Sequence, residues 1–118
     1  MAKIRIKNLL LRTYIGFKPH ELNNKQDVVI NIELETDVSE GVKTDDPEGI
    51  VNYRTITKEI IKHVQESKYA LLESLTQSIL DIVMKNEKIT WGKVEVDKPH
   101  ALRFSESVSV ELEETRKL

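Results

Sequence analysis

The stretch Tyr69-Ala70-Leu71-Leu72-Glu73-Ser74-Leu75-Thr76 has the composition expected at the start of a helix, and the rest of the chain is arranged around it. If the helix begins near Leu72, apolar side chains recur on one face at helical spacing, at Leu72, Leu75, Ile79, Ile82 and Val83. Glu73 then points away from this face, beside backbone N–H groups that have no partner within the helix. The pattern predicts that this helix continues to Met84.

Glu73 has two interpretations at this position. An acidic residue in a first helical turn commonly serves the helix dipole, an interaction worth about 0.3–1 kcal/mol. A carboxylate can also accept two N–H bonds from the edge of a flat heterocycle such as an amino-pyrimidinone ring, while adjacent backbone groups meet the remaining polar atoms of the ring. The stretch by itself leaves both interpretations open.

Four strands and one further helix are predicted on either side of this helix. The strands are identified by alternation of apolar and polar residues, and they cover residues 4–9 with an extension toward Tyr14, then 27–36, 91–97 and 107–113. Asn52 is a good N-cap for a helix that runs to about residues 63–65 and has an apolar stripe of Ile56, Ile60, Ile61 and Val64. Residues 18–24 are predicted to form a loop, and residues 37–50 a connection, because both lack apolar periodicity.

The resulting order, β-β-α-α-β-β, predicts an α+β fold in which both helices cover the apolar face of one antiparallel sheet. A chain of 118 residues is expected to form a single domain, residues 1–118. The opposite face would carry charges of both signs, from Arg5, Lys7, Glu33, Glu35, Lys93, Glu95, Glu111 and Glu113. Such a face could line a barrel, and the two open edges of a four-stranded sheet favour pairing with other subunits, so we expect a homo-oligomer.

Composition excludes several classes of function. A formal charge of −2 gives no strongly basic field, which argues against nucleic acid as the main partner. The absence of cysteine excludes thiol nucleophiles and thiolate zinc sites and fits a reducing compartment, so we expect a cytoplasmic protein. The alternating residues from Lys3 onward predict neither a signal peptide nor a membrane anchor. Because His20, His63 and His100 show no ligand spacing, no metal site is expected.

Five segments resemble the dihydroneopterin aldolase family, and the match spans nearly the whole chain. They are Tyr14-Ile15-Gly16, Glu21, Asn52-Tyr53-Arg54, Leu71-Leu72-Glu73 and Asp97-Lys98-Pro99-His100-Ala101-Leu102-Arg103. The resemblance implies the tunnelling fold (T-fold). Within the family, the segments at 52–55 and 100–103 look most like the branch that epimerises dihydroneopterin triphosphate, whereas Lys98-Pro99 is shared with the aldolases.

The resemblance also implies a site without cofactor or metal, in which a pterin lies between neighbouring subunits of a tetrameric ring. Two such rings would stack into an octamer. Glu73 would anchor the amino-pyrimidinone edge with help from the backbone of Leu71 and Leu72, Tyr53 would reach in from the neighbouring chain, Glu21 would position the pterin side chain, and Lys98 would lie by N5. Without the resemblance, each of these residues has an ordinary interpretation, such as a packed tyrosine or a solvated loop lysine.

The implied reaction is a retro-aldol step on 7,8-dihydroneopterin triphosphate, with Lys98 and Tyr53 relaying protons. Re-addition of the aldehyde would invert C2′, and its loss would give the alternative activity, an aldolase that releases glycolaldehyde. A non-catalytic ring that binds pterins or purines, or a plain structural oligomer, remains a further alternative. An epimerase must retain a charged triphosphate, for which Arg103 and His100 are candidates and to which Lys18 or Arg12 could add positive charge.

Overall fold

Alternating residues form the four long strands of one sheet, β1 (Ala2–Ile15), β2 (Gln26–Thr36), β4 (Ile89–Pro99) and β5 (Ser107–Thr115). A two-residue strand, β3 (Lys68–Tyr69), adds to the outer edge of β1, so the strand order is β3-β1-β2-β4-β5. The long strands pair antiparallel, and β3 pairs parallel with β1. The computed structural model describes residues 1–117.

The helices confirm the predicted pattern and add two short helices and a 3₁₀ turn. Helix α3 (Tyr53–Glu66) begins after Asn52, whose side chain accepts a hydrogen bond from the Thr55 N–H at 3.1 Å. Helix α4 covers Leu72–Met84, as the periodicity predicts. The predicted loop at residues 18–24 is wrong in part, because it contains one helical turn, α1 (Pro19–Leu22), and the connection at 37–50 contains α2 (Ser39–Thr44) and a 3₁₀ turn (Pro47–Gly49).

The core lies between the helices and one face of the sheet. The inward residues of β2 are fully buried, and they meet the apolar stripes of α3 and α4; the central members are Val28, Ile30, Ile32, Leu34, Ile60, Val64, Leu75, Ile79 and Val83. β5 is an edge strand, so its inward residues are only half-buried. The opposite face carries the predicted mixed charge, since Glu33 lies 3.3 Å from Arg5 and 4.0 Å from Lys93.

A bulge in β1 changes which residues face the core. Ile6 is opposite Ile32 and Leu9 is opposite Ile30, so both Lys7 and Asn8 lie opposite Asn31. Asn8 has a positive φ of 54°, and its N–H donates to the side chain of Asn31 at 2.9 Å. Among residues 1–117, no helix is long and apolar enough to cross a membrane.

Candidate functional site

The centre of the candidate site is an ion pair between Lys98, near the end of β4, and Glu21, in α1. Both side chains are largely shielded from solvent, with relative exposures of 14% for Lys98 and 10% for Glu21. The Glu21 carboxylate also accepts hydrogen bonds from the Lys18 N–H at 3.1 Å and from Nε2 of Gln26 at 3.3 Å. The pair is therefore held in one geometry from three directions.

Hydrogen bonding keeps Glu21 ionised. The bond from Lys98 is the main cause that lowers the pKa of Glu21 from 4.5 to about 2, with help from Lys18 and Gln26 and against the opposing effect of burial. At neutral pH Glu21 is therefore a carboxylate, and it lies next to the side-chain nitrogen of Lys98. Such a pair can donate protons and hydrogen bonds from nitrogen while the carboxylate fixes the direction of the lysine side chain.

Gly16 makes room for this carboxylate at the point where β1 ends. Its φ of 122° is a conformation that favours glycine, and a Cβ at this position would overlap the carboxyl group of Glu21. The Gly16 N–H donates to the carbonyl oxygen of Tyr69 at 2.9 Å. Gly16 therefore connects the ion pair to the segment that leads into α4.

The first turn of α4 lies at this same end of the molecule. Leu71 precedes the helix in an extended conformation and, like Glu73, is exposed, whereas Leu72 is half-buried. Glu73 lines a shallow groove with Ser74 and Leu112. Because Tyr69 contacts Gly16 and Gly16 contacts Glu21, the predicted residues Leu71, Leu72 and Glu73 belong to the same end of the sheet as Lys98.

Tyr53 lies at the opposite end of the sheet from Lys98. It is 47% exposed and lines a cavity with Arg54 and Lys88, immediately before β4 begins. Lys98 lies near the end of β4, and a strand of this length spans about 30 Å at roughly 3.3 Å per residue. Within one chain, the distance from Tyr53 to Lys98 is therefore greater than the length of a small ligand.

A groove lies beside the ion pair and is lined by several of the remaining candidates. Arg12, His20, Gln26, Pro99 and His100 are among its lining residues. Gln26 contacts Glu21 and Pro99 follows Lys98, so the groove adjoins the pair directly. The lining does not include Lys18, which lies over the ring of Phe17 at 5.4 Å.

Arg103 is placed differently from His100, although both are in the turn between β4 and β5. Its guanidinium lies 5.3 Å from the centre of the ring of Phe104, which is 99% exposed at the tip of the turn. Arg103 is not among the residues that line the groove. The structure thus brings His100, but not Arg103, to the groove beside Lys98.

Sequence reasoning did not identify Gln26 or the residues that hold the start of α4. Gln26 also donates from Nε2 to the carbonyl oxygen of Ile15 at 2.8 Å, which fixes its side chain beside Glu21. His63 Nε2 lies 2.9 Å from Ser78 Oγ and 3.2 Å from the Tyr69 hydroxyl, so it connects α3, α4 and β3. No periodic pattern marks these residues, because each contact joins two different secondary-structure elements. Among residues 1–117, no group of three or more metal-ligating side chains comes together.

A mainly antiparallel sheet with helices on one face, which superimposes on dihydroneopterin aldolases, is the tunnelling fold. The family model for dihydroneopterin aldolase (FolB) matches residues 4–113, and the chain belongs to this family.

Relatives and solved structures agree with this assignment. A dihydroneopterin triphosphate 2′-epimerase from Pseudomonas aeruginosa is 56% identical over 112 residues, which are 95% of this chain and 91% of the relative. A protein of the same name from Escherichia coli K12 is 49% identical, over 94% of this chain and 92% of the relative. The structure of E. coli dihydroneopterin aldolase in complex with neopterin superimposes with a TM-score of 0.91 at 25% identity, covering 97% of this chain and 99% of the other.

Proposed function

We propose that this chain is an isomerase that epimerises the side chain of 7,8-dihydroneopterin triphosphate at C2′, acting in the cytoplasm. The observation that carries the proposal is the shielded Lys98–Glu21 ion pair, which lies at the end of the sheet where α4 begins. The high identity to relatives named dihydroneopterin triphosphate 2′-epimerase supports this choice of branch.

The pterin ring binds at the first turn of α4. Glu73 accepts two N–H bonds from the amino-pyrimidinone edge, and the backbone at Leu71 and Leu72 meets the remaining polar atoms of the ring. The exposure of Glu73 in the single chain leaves its carboxylate available for this contact. The E. coli aldolase of the same fold is described in complex with neopterin, a ligand with this ring edge.

The reaction needs no cofactor because the dihydropterin accepts the electrons. Loss of the 2′-hydroxyl proton forms a carbonyl at C2′ and breaks the C1′–C2′ bond, and the bonding electrons move to the C6=N5 imine, where N5 takes up a proton. Lys98, held by Glu21, relays protons at N5 and the 2′-hydroxyl with a water molecule, and Tyr53 assists. If the bound aldehyde presents its other face and adds back, C2′ is inverted.

The complete site requires two chains. The length of β4 separates Tyr53 from Lys98 within one chain, so the Tyr53 of a site would come from the neighbouring subunit. In the described part of the chain, β5 pairs only with β4, and β1 pairs on its outer side only over Tyr14–Ile15. These open edges support a tetrameric ring, and we propose that two rings stack into an octamer.

Epimerisation also requires that the departing aldehyde fragment stays bound, and its triphosphate provides the handle. We propose that the turn between β4 and β5, which carries His100 and Arg103, contributes hydrogen-bond donors and part of the positive charge that retain it. A dihydroneopterin aldolase is the second candidate function, because an enzyme that lets a small neutral aldehyde leave could use the same ion pair. A ring that only binds pterins or purines would need Glu73 but not Lys98.

The deciding experiment is incubation with 7,8-dihydroneopterin triphosphate, followed by chromatography that separates neopterin, monapterin and cleaved products. Conversion to the monapterin form is expected, with little release of the aldehyde fragment, which carries the triphosphate. Efficient release of this fragment would move the chain to the aldolase function, which on unphosphorylated dihydroneopterin gives glycolaldehyde. Full turnover by a Lys98→Ala variant would contradict the assigned role of Lys98, and tight pterin binding without any turnover would favour the non-catalytic ring.

A further inference from the structure

The groove next to the Lys98–Glu21 pair has the chemistry of an anion subsite. It is lined by Arg12 from β1, His20 from α1 and His100 from the turn after β4. These residues come from three separate parts of the chain and line one space. Each can donate N–H bonds to phosphate oxygens.

Local contacts orient the Arg12 guanidinium and hold the backbone of both histidines. Arg12 donates from Nη2 to the carbonyl oxygen of Lys25 at 3.0 Å, which orients its guanidinium along β1 and β2. The carbonyl oxygen of His20 accepts from the side chain of Asn24 at 2.7 Å. His100 has a φ of 60°, and its N–H donates to the carbonyl oxygen of Glu106 at 3.2 Å, which closes the turn. The donors are therefore attached to an ordered framework.

One acidic residue occupies the same groove. Asp27 lies directly opposite Arg12 across β1 and β2, and its Oδ1 is 3.5 Å from Arg12 Nε. Both side chains are more than half exposed, so the pair is weak and leaves further guanidinium N–H groups for another anion. Asp27 would repel a phosphate while it holds the arginine.

We propose that this groove, through Arg12, His20 and His100, binds the triphosphate of the pterin substrate, and that Arg12 is the principal cation in it. The inference rests on the proposed function and specifies its phosphate subsite. Gln26 and Pro99 line the groove and adjoin Glu21 and Lys98, so a tail that leaves the reacting carbons enters it directly. Arg103 lies outside this groove and has a smaller part.

The test is calorimetric titration with neopterin triphosphate and with neopterin. Both ligands have an aromatic pterin ring, so they bind without undergoing the retro-aldol step. The readout is the affinity for neopterin triphosphate divided by the affinity for neopterin. This ratio isolates the phosphate contribution from binding of the ring. Arg12→Gln is expected to lower this ratio about tenfold, because a hydrogen-bonded charge pair is lost. Asp27→Asn should raise the ratio, since it keeps the size of the side chain and removes the repelling charge. Both effects should shrink at high salt.

Two comparison variants make the result decisive. Lys62→Gln removes one positive charge from an exposed position on α3 and should leave the ratio close to that of the unmodified protein. Arg103→Ala should lower it less than Arg12→Gln does. A ratio that falls for Arg103→Ala but not for Arg12→Gln overturns the assignment, as does an unmodified protein with equal affinity for both ligands. Failure of the proposed function would be seen separately in turnover, because 7,8-dihydroneopterin triphosphate would then not be converted to the monapterin form, whatever the ratio of affinities.

Discussion

At the scale of single residues, the proposed site contains two carboxylates with different surroundings. Glu21 is buried and hydrogen-bonded to Lys98, Lys18 and Gln26, whereas Glu73 is exposed at the start of α4 in the single chain. A buried and paired carboxylate contributes to stability as well as to function. An exposed one beside free helix N–H groups contributes little until a ligand binds.

The depressed pKa of Glu21 predicts how stability changes with acidity. Because folding lowers this pKa from 4.5 to about 2, the ion pair contributes fully above pH 4.5, and its contribution is lost as the pH falls toward 2. Glu21→Gln should lower the free energy of unfolding at pH 7 by roughly 1–3 kcal/mol. Urea unfolding of both proteins between pH 7 and pH 3 should show the difference decreasing. A difference that stays constant over this range would contradict the pairing.

Glu73 is predicted to dominate affinity for the pterin ring. Glu73→Gln removes the charge and leaves ring N–H donors without a full partner, a loss that typically costs about 1–3 kcal/mol. Calorimetry with neopterin should therefore show affinity reduced at least several-fold. Glu66→Gln, an exposed change at the end of α3, serves as the control. Equal affinity in the Glu73 variant would return this residue to a role in the helix dipole.

At the scale of elements, the end of β1 determines whether the site can form. β1 ends at Ile15, and Gly16 then turns the chain so that α1 places Glu21 beneath it. The Gly16 N–H also donates to the carbonyl oxygen of Tyr69, and the hydroxyl of Tyr69 lies near His63. One glycine therefore sets the relative position of α1 and of the segment before α4.

Gly16→Ala is expected to destabilise the protein and to displace Glu21. The substitution adds backbone strain at positive φ and a steric overlap, and strain of this kind costs about 1–3 kcal/mol. Thermal unfolding should show the loss, and turnover should fall with it. In a Glu21→Ala background the overlap is absent, so the same glycine substitution should cost less there. An equal cost in both backgrounds would attribute the whole effect to the backbone.

At the scale of the whole molecule, the chain is elongated, with a longest dimension of 53 Å, and Tyr53 and the Lys98–Glu21 pair, both proposed for the site, lie toward opposite ends. Large apolar side chains such as Leu10, Leu71 and Leu102 remain about half or more exposed. Together with the open edges of β1 and β5, this exposure is typical of a subunit that assembles with copies of itself.

Complementation between two impaired variants, assayed at a substrate concentration at which each alone turns over slowly, tests the composite site. Tyr53→Phe and Glu73→Gln each remove one contribution, and after subunit exchange some sites would take an intact Tyr53 from one chain and an intact Glu73 from its neighbour. With random mixing, about a quarter of the sites in a closed ring should be complete. Turnover should therefore return on mixing. If exchange is demonstrated by mass spectrometry and no activity returns, the site lies within one chain.

The sequence by itself determined the elements whose burial repeats locally. The alternation of Val28, Ile30, Ile32 and Leu34 predicts β2, and the 3.6-residue spacing predicts α4, because each pattern reflects a single face turned toward one core. The segments that resemble the dihydroneopterin aldolase family were also identified from the sequence alone. The roles of Glu73, Tyr53 and Lys98 stay predictions until they are tested.

Only the tertiary structure decided the features that depend on distant partners. The bulge at Lys7 and Asn8 follows from pairing with Asn31, and β3 exists because Tyr69 meets the end of β1. Glu21 lies in a polar segment that predicts exposure, yet it is buried against Lys98, 77 residues away. Local pattern cannot anticipate such contacts, since the free energy that orders these residues comes from groups that only the folded sheet brings together.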